Sequence, residues 1–101
     1  MKLFTKLLQD IFKTLGDESR LKIIAALNDT EKSVSEIANK TELGQSLVSH
    51  HLKTLRQNLI VNARRKGPYV FYYISDKRIL KILQETSNIF VDLIRKQIEH
   101  E

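Results

Sequence analysis

Between Asn58 and Ser75 the apolar spacing of this chain changes from a period of about 3.6 residues to a period of about 2, then back again. Ile60 to Arg65 and Tyr69 to Ile74 are rich in β-formers and flank Lys66-Gly67-Pro68, which spells a hairpin. Pro68 has no amide hydrogen to give a ladder, so it belongs at the turn or at the first strand position. A hairpin set inside an otherwise helical chain restricts the architecture to helices packed around one small β-ribbon.

The helices are legible around it. Leu3, Phe4, Leu7, Leu8, Ile11, Phe12 and Leu15 recur at helical spacing, and Gly16 ends that segment. A second helix opens at Asp17-Glu18, whose carboxylates suit a helix N-terminus. It is expected to bury Leu21, Ile23, Ile24 and Leu27 and to close at Asn28-Asp29. Ser33-Val34-Ser35-Glu36 has capping-box spacing and starts a short third helix to about Lys40. After the tight connection Thr41-Glu42-Leu43-Gly44, Gly44 serves as N-cap of a fourth helix to about Asn58. Beyond the hairpin, Ser75 is expected to cap a last helix with apolar positions Ile79, Leu80, Ile82, Leu83, Ile89, Phe90, Leu93, Ile94 and Ile98. The expected fold class is mainly α (α+β), with five helices and a two-stranded β-hairpin before the last helix.

The length, 101 residues, corresponds to a single domain spanning 1–101. An apolar share of 42% beside 29% charged residues places it among folded chains. No run reaches the ~18 apolar residues of a membrane span, and the start MKLFTKLLQD lacks signal-peptide features. Without cysteine there is no disulfide framework or thiolate chemistry. A cytoplasmic location is expected. Charge is unevenly spread. From Leu43 to Ser75 there is no Asp or Glu, and Lys53, Arg56, Arg64, Arg65 and Lys66 there account for the whole net charge of +5. Such a field favours a polyanionic partner.

His50 and His51 stand side by side in QSLVSHHL, and helical geometry separates them. At 100° per residue, Leu47, Val48, His51, Leu52 and Leu55 form one stripe, whereas Ser46, Ser49, His50, Lys53 and Gln57 lie opposite, flanked by Gln45 and Arg56. The two imidazoles point about 100° apart, which does not suit chelation of one ion. His51 reads as a satisfied residue at the core edge. His50 belongs to a face of short hydroxyls, amides and a cation, suited to base edges and phosphates. Arg64, Arg65 and Lys66 cluster at the Gly-Pro turn, where a β-ribbon can reach phosphates or a minor groove. Of the aromatics Tyr69, Phe71, Tyr72 and Tyr73, most are expected to pack the hairpin on the helices, and Tyr69 near the tip to touch a partner. A short helix, a tight turn, a polar-faced helix and a basic hairpin make a winged helix-turn-helix, with 33–58 as the helix-turn-helix and 60–74 as the wing.

The residues also resemble a known family. LGDESRLKIIAAL (Leu15 to Leu27), VSEIANKTELGQSLVSHHLKTLR (Val34 to Arg56) and the wing from Val61 to Ile74 are similar to the ArsR/SmtB repressors of bacteria and archaea. The resemblance implies a homodimeric repressor whose fourth helix, with Gln45, Ser46, Ser49 and His50, enters the major groove while the wings lie on minor grooves. It also implies a dimer interface built by the first and last helices (1–15 and 76–99). Candidates there are Leu3, Phe4, Leu7, Leu8, Ile11, Ile82, Leu83, Phe90, Leu93 and Ile94.

Two departures stand out. Metal-sensing members carry Cys-x-Cys in a pattern like ELCVCDL, where this chain reads EKSVSEI with Ser33 and Ser35. Neutral hydroxyls are poor ligands for soft metals, so no metal and no cofactor is expected there. The last helix offers Asp92, Glu99, His100 and Glu101 but no Asp-x-His, leaving only a weak terminal His100 site open. The family's glycine after the recognition helix is replaced by Asn58-Leu59, with Asn58 expected to take the left-handed cap.

The expectation is therefore a sequence-specific regulator of double-stranded DNA at an inverted-repeat operator. No cysteine, glycine-rich phosphate loop or carboxylate pair accompanies His50, so catalysis is not expected. The competing reading is a winged-helix protein–protein module with an acidic partner. The dimer also has a physical basis, because the apolar stripes of the outer helices exceed what a small core covers.

Overall fold

A computed structural model describes residues 2–100, with side chains from Phe4 onward. Leu3, expected at the dimer face, lies outside the described side chains. The element order is α1 (Lys2–Leu15), α2 (Glu18–Leu27), α3 (Val34–Thr41), α4 (Gln45–Gln57), β1 (Val61–Lys66), β2 (Tyr69–Ile74) and α5 (Arg78–Glu99). Five helices and one antiparallel hairpin are thus observed, as the sequence leads one to expect.

Local signals set most boundaries. The Asp17 carboxylate accepts the Arg20 amide at 3.0 Å and caps α2. Arg20 Nε donates to the Thr14 carbonyl at the end of α1, so one residue fixes how α1 enters α2. The capping box forms in full: Ser33 Oγ accepts the Glu36 amide and Glu36 accepts the Ser33 amide. Gly67 sits at φ +61° ahead of Pro68, whose ring fixes φ negative, the sign pair of a two-residue type II′ turn. Lys66 is accordingly opposite Tyr69, and the ladder runs to Val61 opposite Ile74.

The core joins α2, α3, α4 and the base of the hairpin. Ile23, Ile24, Leu27, Ile37, Val48, Leu52, Leu55 and Val61 are buried essentially completely. Leu15, Leu43, Tyr72, Ile79, Leu80 and Leu83 pack on that cluster from outside.

Several expectations are corrected. Leu21 is exposed, because it lies two residues before Ile23 and so about 200° round the helix from it. Leu47 is exposed as well, at the edge of the α4 stripe about 100° from Val48. β1 begins at Val61 rather than Ile60. Ser75 does not cap α5: its amide donates to the Ile60 carbonyl and prolongs the ladder, and α5 begins at Arg78 after an Asp76-Lys77 turn. Asn58 does not take the left-handed position. Leu59 does, at φ +63°. The Leu59 amide donates to the Arg56 carbonyl and the Ile60 amide to the Leu55 carbonyl, a Schellman motif with Leu59 at C′. Ile60 is thereby laid beside Leu55 in the core, while Asn58 Nδ2 bonds the Thr54 carbonyl. The backbone register needed to bury Ile60 puts the strained conformation on leucine.

Also unforeseen is a backbone bridge between Lys32 and Tyr72, with amide-to-carbonyl distances of 3.0 and 2.8 Å. The α2–α3 segment therefore lies beside β2 as a one-residue third strand, anchoring the hairpin to the helical body.

Candidate nucleic-acid interface

Gln45, Ser46, Ser49, His50 and Lys53 are all exposed on one side of α4, while Val48, His51, Leu52 and Leu55 are buried on the other. The two histidines divide as helical geometry requires, with ring centroids 5.7 Å apart and planes at 57°. His51 is 8% exposed, and its Nδ1 has no hydrogen-bond partner among the described residues. It sits at the core edge as expected but is not fully satisfied. The nearby Asp17 carboxyl is held below the usual range by the Arg20 amide and then by the Arg20 guanidinium.

Gly44 caps α4 without a side-chain hydrogen bond. Ser49, Lys53, Arg56, Gln57 and Tyr72 border a shallow hollow of about 360 Å³ between α4 and the hairpin, with Leu52 at its floor. Arg56, Gln57 and Tyr72 thus join the surface that Ser49 and Lys53 begin. Their place on the polar side of the helical wheel is a signal for the first two, whereas Tyr72 is brought there only by hairpin packing.

Directly opposed residues of antiparallel strands share a face. The buried pair Val61 and Ile74 marks the inner face, which continues through Ala63–Tyr72 to Arg65–Val70. The outer face holds Asn62–Tyr73, Arg64–Phe71 and Lys66–Tyr69. Arg64, Arg65, Lys66 and Tyr69 are all exposed, so the four wing residues singled out in the sequence are at the surface near the turn. Tyr69 projects with its ring 6.4 Å from that of Phe71. Arg64 differs from its neighbours, because its guanidinium forks onto the Glu31 carboxylate through Nε, at 3.2 Å, and Nη2. That contact holds the Glu31 carboxyl below its ordinary range and raises the Arg64 guanidinium. Arg65 and Lys66 make no ion pair among the described residues.

The outer helices carry a second surface. Phe4, Leu7 and Phe12 of α1 and Ile82, Ile89, Phe90, Leu93, Ile94 and Ile98 of α5 are exposed, while Leu8, Ile11 and Leu83 are half-buried. A groove of about 580 Å³ runs between α1, the α4–β1 connection and the first turns of α5, lined largely by Leu7, Leu8, Ile11, Phe12, Leu59, Ile79, Ile82 and Leu83. Among the described residues, no three His, Asp or Glu side chains come together as a metal-ligand set. Among the same residues, no helix is long and apolar enough to cross a membrane.

A short helix, a turn, an exposed polar helix face without carboxylates and a basic β-ribbon define a winged helix-turn-helix, a fold of DNA-binding domains. A family model described as a bacterial regulatory protein of the arsR family matches residues 17–63. The transcriptional activator HlyU of Vibrio cholerae is 36% identical over 74 residues, covering 73% of this chain and 68% of HlyU. Its reduced form superposes with a TM-score of 0.76 at 34% identity, over 85% of this chain and 94% of that one. The cadmium resistance transcriptional regulatory protein CadC of Listeria innocua is 38% identical over 74 residues, covering 72% of this chain and 62% of CadC. The homodimeric winged helix-turn-helix DNA-binding domain Mb0332 of Mycobacterium bovis shares the fold, with a TM-score of 0.81 at 24% identity over 90% and 87% of the two chains. The chain belongs to the arsR family of bacterial regulatory proteins.

Proposed function

We propose that this protein is a homodimeric transcriptional regulator, acting as a cytoplasmic repressor, that binds an inverted-repeat operator in double-stranded DNA. The observation carrying this reading is the exposed face of α4, free of carboxylates, which meets the wing at Tyr72 beside Ser49 and Lys53. Gln45, Ser46, Ser49 and His50 meet base edges in the major groove, where small hydroxyl side chains permit close approach of the helix. Lys53 and Arg56 face phosphates on one side of that groove. Arg65, Lys66 and Tyr69 reach the flanking minor groove from the wing.

The dimer follows from the apolar surfaces of α1 and α5, which a two-fold axis buries with the same patch on both copies. The homodimeric state named for the Mb0332 domain agrees with it. HlyU is named as an activator, so occupancy of DNA by this fold serves either sign of control. Repression is the outcome when the site overlaps a promoter. Ser33, at one of the positions where metal-sensing relatives carry cysteine, is occupied as the N-cap of α3, and any inducer is taken to be other than a soft metal ion.

The test is selection of bound duplexes from a random library, followed by affinity measurements across salt concentrations. Enrichment of an inverted repeat with half-sites roughly 34 Å apart, and a steep fall of affinity with salt, is the expected result. Equal affinity for all sequences that vanishes near physiological salt would instead mark a protein–protein module.

A further inference from the structure

We propose that Glu31 and Arg64 form a clasp across the wing that fixes its angle to α4, making Arg64 a positioning residue and not a phosphate contact. The inference rests on the DNA-binding reading above and deepens it. Arg64 lies on the outer face of the ribbon with Phe71, whereas Arg65 lies on the inner face with Tyr72, which borders the hollow beside Ser49 and Lys53. Lys32 pairs with Tyr72, so Glu31, one residue earlier, falls on the outer face beside Tyr73. From there its carboxylate crosses β2 and takes the Arg64 guanidinium on β1 in a two-point fork. β2 is consequently held from both sides, by the Lys32 backbone at one edge and by the Arg64 strand at the other.

The segment so tied leads directly into the Ser33 cap of α3, and α3 sets the position of α4 through the turn. A tilt of the wing that leaves the Glu31 segment with the helical body therefore stretches the Glu31–Arg64 fork. An arginine already engaged by a carboxylate has also lost the bare charge that phosphate would recognise. Arg65, free of ion pairs among the described residues, keeps it, and Lys66 acts on Glu31 only through space, without an ion pair.

The experiment compares wild type, Glu31→Gln, Arg64→Gln, their double variant, the charge swap Glu31→Arg with Arg64→Glu, and Arg65→Gln. Affinity for the selected duplex is measured at several salt concentrations. Amide exchange of Lys32 and Tyr72 is measured on the free protein. The clasp predicts that each single variant loses about three- to five-fold in affinity, a size set by the partial exposure of the pair. The double variant should be no worse than either single, and the swap should return to within about two-fold. The salt slope should hold for all of these, whereas Arg65→Gln lowers it by about one. Exchange at Lys32 and Tyr72 should quicken in the singles and recover in the swap.

A salt slope flattened by Arg64→Gln, tighter binding by Glu31→Gln, or a swap weaker than Arg64→Gln would overturn the proposal. If no sequence is enriched for the wild type, the DNA reading fails and the exchange measurement decides the clasp alone. Unchanged exchange in both singles would then refute it.

Discussion

Ser49 and His50 sit one helical step apart on a face where no carboxylate intrudes, and both are exposed. Substituting either by Glu places a negative charge where a duplex presents phosphate and base acceptors. Ser49→Glu or His50→Glu should abolish specific binding in a fluorescence anisotropy titration. Thermal unfolding should change by no more than about 0.5 kcal/mol, the usual range for exposed sites. A loss of binding accompanied by a collapse in stability would mean that the face is structural. These residues were legible because helical periodicity alone separates the polar side of α4 from Val48, His51, Leu52 and Leu55. Leu21, expected in the core, is exposed for a related reason, and Leu47 at the edge of its stripe is exposed too. Apolar character does not fix burial at the margin of a stripe, where the angle to the nearest neighbour decides it. Glu31 was invisible in the sequence, since its partner Arg64 lies 33 residues away and only the folded ribbon brings them together.

At the scale of elements, the end of α4 shows why boundaries are harder to read than helices. The capping box at Ser33 and the turn at Gly67-Pro68 depend on residues adjacent in sequence, and both form as their motifs predict. The α4–β1 junction depends instead on where Ile60 must go, and that requirement moves the left-handed residue from Asn58 to Leu59. Leucine at φ +63° is strained where glycine is not. Leu59→Gly should therefore raise the unfolding free energy by roughly 0.5–1 kcal/mol in urea titrations. Asn58→Gly should lower it, because the bond from Asn58 Nδ2 to the Thr54 carbonyl is lost and no strain is relieved. Stabilisation by Asn58→Gly instead would return the left-handed cap to position 58.

The whole molecule is extended for its size. Its radius of gyration is 15.7 Å, against about 13 Å for a compact chain of this length. The excess comes from α1 and α5, whose apolar faces stand in solvent in a single copy. Sedimentation at micromolar concentration should give a dimer for wild type. Phe90→Glu with Leu93→Glu should give a monomer, with operator affinity falling by more than tenfold. A wild type that sediments as a monomer would contradict the dimer.

Acid stability is also a property of the whole chain. Backbone amides hold Asp17 and Glu36 below their ordinary values, while the Arg64 and Arg78 guanidiniums do so for Glu31 and Asp76, the last to about 2. A carboxyl whose folded value is depressed stabilises the fold above its unfolded value and loses that contribution as pH falls through the folded one. These four groups should add no slope above pH about 5. Their contribution should drain away below the ordinary values of 4.5 for Glu31 and Glu36 and 3.8 for Asp17 and Asp76, with that of Asp76 persisting to about 2. Urea unfolding across that range measures it, and Asp76→Asn should remove the lowest part of the decline.

The most direct measurement is an NMR titration of amide signals with the duplex recovered by selection. Shifts concentrated at Ser46, Ser49, His50 and Lys53, together with Arg65 to Tyr69 in the wing, are the predicted result. Shifts confined to α1 and α5, with α4 and the wing unmoved, would contradict the assignment of that surface to DNA.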